Sequence, residues 1–252
     1  MPASSNAEVA TAITGAAFPP TRWSLIRKIQ ASTPNSDDSQ AALDEICRLY
    51  WLPVYVFFRR HGKSPEDAED LTQGFFQQLL TGTFFDRSDP DRGRLRSYLL
   101  GSARNFLSVD HRRQSALKRG GGTKFLHIDA ERAEGIAFEE SVAADQAGPD
   151  EVFERRWALD LLERALVRLR EHYTKLNQAE VYEVVGPMIS EMPKGAIANA
   201  ASQLGQSHNA VRIALYRMKK RFQEAVREEV ELTLEPNGDI EEELAHLATL
   251  LG

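Results

Sequence analysis

The chain has 252 residues, of which 42% are hydrophobic and 27% charged. That is ordinary for a globular protein, and long enough for two small domains or one domain with long extensions. Its 31 Lys and Arg against 37 Asp and Glu leave a net charge of −6, which argues against indiscriminate nucleic-acid binding but leaves a local basic patch open. Cys47 is the single cysteine, which excludes an intramolecular disulfide and a cysteine-based zinc site. No apolar run approaches the ~18–20 residues of a membrane span, and the start lacks the basic and apolar blocks of a secretory signal. A cytoplasmic protein is expected.

Residues 1–20 read as a disordered lead-in. A first helix is expected over Thr21–Ile29, capped by Thr21, with Trp23, Ile26 and Ile29 inward. A turn at 32–38 leads to a helix from about Ser39 to Tyr50 with Leu43, Ile46, Cys47 and Tyr50 on its core face. Pro53 is expected to interrupt or kink it, since proline lacks the amide donor and clashes with the preceding turn. The helix then resumes through Val54–Arg60 and ends near His61-Gly62. Ser64-Pro65-Glu66-Asp67 is a helix start, with a serine cap, proline in the first turn and acids at the positive end of the macrodipole. Its inward stripe is Ala68, Leu71, Phe75, Phe76, Leu79 and Leu80.

Ser97–Arg113 is the basic helix of the chain. Tyr98, Leu99, Phe106, Leu107 and Val109 fall mostly on one side, and Arg104, Asn105, Ser108, Arg112 and Arg113 on the other. Between Arg92 and Lys124 the only acid is Asp110. Concentrated positive charge with interleaved aromatics suits a phosphate backbone and unstacked bases, while a solvated helix face is the plainer alternative. Residues 117–150, with Gly120-Gly121-Gly122, read as a linker. Gly148-Pro149-Asp150 opens a helix over Glu151–Tyr173 whose stripe is Trp157, Leu161, Leu162, Ala165, Leu166 and Leu169. Another covers about Gln178–Val185.

Ala196–Phe222 carries the most specific signal. One helix with Ile197, Ala200, Ala201 and Leu204 inward stops at Gly205, and Ser207 caps a second with Val211, Leu215, Met218 and Phe222 inward. This is the pattern of a helix-turn-helix. The outer face shows His208, Asn209, Arg212, Tyr216, Arg217, Lys219, Lys220 and Arg221 without an acid. The segment Glu224–Glu243 is strongly acidic, followed by a stripe of Leu244, Leu247, Leu250 and Leu251.

Taken together, these blocks resemble bacterial sigma factors of the sigma-70 class, extracytoplasmic-function group. The resemblance covers roughly Leu43–Arg113 and Arg155–Val226 in the family's order. It implies an all-α fold with a region 2-like bundle (21–116), a long linker (117–150) and a region 4-like helix-turn-helix domain (151–228), followed by an acidic extension (229–252). The stretch SPEDAEDLTQGFFQQLL is similar to the helix that docks on the β′ clamp helices of core RNA polymerase, which places Asp67, Asp70, Leu71, Gln73 and Phe76 at that surface. RLRSYLLGSARNFLSVDHRR is similar to the segment that melts and reads the −10 element, and assigns Arg94, Arg96, Arg104, Asn105, Arg112 and Arg113 to DNA. Phe84 and Phe85 are candidates to receive a flipped base.

The helix-turn-helix resembles the −35 reader, with Ser207, Asn209, Arg212, Tyr216, Arg217 and Lys220 at the duplex. The implied partners are core RNA polymerase, including its β flap, and promoter DNA, with room for an anti-sigma or other regulatory partner. No membrane, cofactor, metal or catalytic residue is implied. The linker and the stretch Thr174–Gly195 are long for the family. The acidic extension is expected to be a solvated face, or else to compete with DNA for a basic helix or contact a partner and so restrain the free factor, docking through its leucine stripe. Two alternatives stay open: a standalone helix-turn-helix regulator, and, remotely, a metal-dependent enzyme using Asp67, Glu69 and Asp70 or His61.

Overall fold

The computed structural model describes residues 22–31, 36–80, 94–114, 133, 135–136, 147–234 and 238–252. Among them the regular structure is entirely helical: α1 (Arg22–Ala31), α2 (Asp37–Arg60), α3 (Pro65–Leu80), α4 (Leu95–Gln114), α5 (Pro149–Lys175), α6 (Ala179–Val185), a 3-10 turn (Gly186–Ile189), α7 (Ala196–Leu204), α8 (His208–Glu231) and α9 (Ile240–Leu251). The expectations on residues 1–20, Thr21, Phe84, Phe85 and most of 117–150 lie outside the described residues.

Helix α2 organises the first core, packing on α1, α3 and α5. Its cap is Ser36, whose Oγ accepts from the Ser39 amide at 3.3 Å. Of the interruption or kink expected at Pro53, the interruption does not occur, and the helix runs unbroken to Arg60. The lost hydrogen bond and ring clash cost about 3 kcal/mol. Leu49, Tyr50, Trp51, Val54, Tyr55, Val56, Phe57 and Phe58 are all buried on either side, and each large apolar side chain gains about 1.5–3 kcal/mol on burial. Packing therefore outweighs the local defect. Gly62, at φ 76, ends the run where a side chain would be strained.

Among the described residues, two hydrophobic clusters form. The first joins α1 to α4 with the front half of α5 (Val152 to Ala165), the rear of α8 (Ala225, Val226, Val230) and Leu247 of α9. The second joins the rear of α5 (Leu169, Tyr173) with α6, Met188, α7 and the front of α8 (Val211, Leu215, Met218). Phe222 touches both. Both clusters thus draw on α5 and α8, and these two helices pack against one another. Glu229 locks them: it is 2% exposed and accepts from Arg164 at 3.0 Å and from Arg168.

Candidate functional site

Three surfaces carry the residues singled out by the sequence. The first is the α7–α8 unit. Gly205 closes α7 in the left-handed region at φ 61, and the Ala210 amide donates to Ser207 Oγ at 3.2 Å, starting α8. Val211, Leu215 and Met218 are buried against α7 and its neighbours. That orientation leaves Asn209, Arg212, Tyr216, Arg217, Lys219 and Lys220 exposed, Tyr216 at 71%. Among the described residues no carboxylate forms an ion pair with Arg212, Arg217, Lys219 or Lys220. Burial raises the Tyr173 phenol above its usual range, against the pull of nearby Arg217. The face is a ridge of four cations with an aromatic ring among them.

The second surface is α4, and here the structure differs from an open basic face. Arg94 pairs with Glu242 at 2.8 Å and Glu243 at 2.7 Å. Arg96 is only 3% exposed, donates to Glu154 at 2.6 Å and to Glu243, and lies over the Trp157 ring. Arg104 is half-exposed, and its Nε donates to Asp150 at 2.9 Å, with a second bond from its terminal nitrogen. Asn105 is exposed. Arg112 and Arg113 lie on the helix, their side chains outside the described residues. Arg96, placed at DNA by the resemblance, is thus a buried residue in this arrangement, because its neighbours are contributed by α5 and α9.

Tyr98 and Phe106 are not free stacking platforms either. Both pack against the first core, and the Phe106 ring sits 5.9 Å from Phe75 and 6.3 Å from Phe58. On α3, Asp67 and Asp70 are exposed and Gln73 half-buried, donating to Glu69 at 3.2 Å. Leu71 and Phe76, assigned to the same surface by the resemblance, are 6% and 3% exposed and pack in the first core. The Asp67 amide donates to Ser64 Oγ at 3.1 Å, as the capping pattern predicts.

Of the partners of α4, the α5 residues Asp150, Glu154 and Trp157 are what sequence reasoning missed, while Glu242 and Glu243 belong to the acidic extension for which competition at a basic helix was one expectation. Their signal was present as a first-turn acid on α5 and an acidic run before an apolar stripe, but the pairings span 46 to 148 residues. Among the described residues no group of three or more His, Cys, Asp or Glu side chains is placed to hold a metal ion, and no helix is long and apolar enough to cross a membrane. No protein-family model matches the chain, and neither the curated proteins nor the solved structures include a significant match to it.

Proposed function

We propose that this chain is a sigma-type transcription initiation factor, one that binds core RNA polymerase, contacts −35 DNA through α8 and engages the −10 strand through α4. The observation that carries the reading is the exposed ridge Arg212–Tyr216–Arg217–Lys220 on a capped second helix set against α7 by a left-handed glycine. A helix so presented fits a major groove, with arginines able to grip phosphates or guanine edges. The acidic exposed face of α3, through Asp67 and Asp70, suits a basic coiled-coil partner. Such a factor performs no hydrolysis; binding the single strand draws the melting equilibrium toward the open form.

A second reading is a standalone helix-turn-helix regulator, favoured by the engagement of Arg94, Arg96 and Arg104 in ion pairs while the α8 face stays clear. Gel filtration with purified bacterial core polymerase separates the two. The sigma reading expects co-elution that weakens in Asp67→Ala/Asp70→Ala, whose targets are exposed. Tight duplex binding with no co-elution selects the regulator.

A further inference from the structure

Helix α9 brings two adjacent glutamates onto the two arginines that open α4. Glu242 and Glu243 pair with Arg94, and Glu243 also with Arg96. On its other flank, Glu241 pairs with Arg227 of α8 at 2.7 Å. We propose that α9 is an internal acidic clasp: it occupies the Arg94–Arg96 pair in place of a nucleic-acid backbone and is displaced when a single strand binds there. This rests on the reading that α4 faces DNA, and it adds the regulation of that site.

Three observations support displacement over a permanent staple. The helix has 12 residues, a length at which an isolated helix is marginal in water, so its order depends on docking. Its seam is thin: Leu247 alone of the stripe is buried, while Leu244, Leu250 and Leu251 are partly exposed. The charges it supplies are those a phosphate backbone would replace one for one, since a guanidinium forms the same paired bonds to carboxylate and phosphate. Glu243 is 0% exposed and Arg96 3%. Removing the carboxylate therefore leaves a desolvated cation that a phosphate can satisfy, although Glu154 still holds one of its edges.

The test uses the full chain and a fluorescent thymine-rich single strand of about 12 nucleotides, followed by anisotropy at about 0.1 M salt. Glu242→Gln/Glu243→Gln is expected to bind about five- to tenfold more tightly than the parent. Its log K against log salt is expected to be steeper by about 0.7 for each arginine freed. Arg94→Ala in that background removes the gain. Glu242→Gln alone, altering a side chain 70% exposed, preserves the fold and is expected to give about a twofold gain by losing one screened charge.

In the parent chain, saturating oligonucleotide is expected to raise amide hydrogen exchange across Ile240–Leu251. The clasp is overturned if α9 exchange is unchanged at saturation, or if folded Glu242→Gln binds no more tightly. If neither protein binds the single strand while α8-dependent duplex binding persists, the clasp falls and the helix-turn-helix reading stands. If duplex binding is absent as well, the DNA-binding reading falls with it.

Discussion

The Arg96 guanidinium lies 4.3 Å from the centre of the Trp157 ring, with Glu154 and Glu243 accepting from its edge. One side chain thus ties α4 to both α5 and α9. Stacking on the indole uses the weakly hydrated face of the cation, and the carboxylates take its in-plane donors. Arg96→Ala leaves Glu243 buried with one cation fewer and is expected to cost about 3–5 kcal/mol. Arg96→Met/Glu243→Leu removes both charges and is expected to be less destabilised than the sum of the single variants by at least about 1 kcal/mol. Urea titration of the parent, Arg96→Met, Glu243→Leu and the double variant measures this; strict additivity would mean the pair does not act as a unit.

The turn of α7–α8 gives a second prediction. Gly205 sits at φ 61 with open space where a Cβ would point, so substitution strains the backbone without a clash. Gly205→Ala is expected to lose about 1–2 kcal/mol, and Gly205→Asn less, because asparagine tolerates the left-handed region. Thermal melts rank the three; an alanine variant as stable as the parent contradicts the geometry.

Much of this was legible in the chain itself, and the reasons are local. Ser64-Pro65, Gly148-Pro149 and Gly205-Gln206-Ser207 mark helix ends through bonds made within three or four residues, and the structure places helix starts or stops at each. The stripe of α3 already set Leu71 and Phe76 inward, and both are buried there. What the sequence left hidden is non-local. Whether Arg96 meets water or Trp157 depends on α5 and α9 arriving from 58 and 147 residues away. Pro53 shows the converse, a strong local signal overridden by packing on both of its flanks.

Cys47 offers a probe of the first core. Burial, helped by the charge of Asp44, pushes its thiol up to about 12, so the thiolate that reacts with disulfide reagents is scarce at neutral pH. A thiol-exchange reagent is expected to leave native protein unmodified and to titrate one thiol in denaturant. Rapid native labelling at pH 8 would place Cys47 outside the core.

Asp160 sets a pH dependence. Burial raises its carboxyl from 3.8 to about 6, outweighing the attraction and hydrogen bond of Arg156, with Glu163 adding to the rise. A folded-state value above the unfolded one means the native state holds the proton more tightly. Its contribution to stability is full below about 4 and declines as pH rises through about 6. Asp160→Asn is expected to flatten the stability profile in that window, measured by denaturant titration at several pH values. A parent profile already flat between those values would remove Asp160 as its source.

The central claim is that α8 and α4 serve polymerase-dependent promoter recognition, and run-off transcription tests it most directly. Purified chain, bacterial core RNA polymerase and a pool of genomic promoter fragments are combined, and transcript starts are mapped. The account predicts discrete starts that require the chain and fall at least about tenfold in Arg212→Ala/Arg217→Ala, since each lost phosphate or base contact weakens promoter binding. Transcripts indifferent to the chain, or starts undiminished by that double substitution, would contradict it.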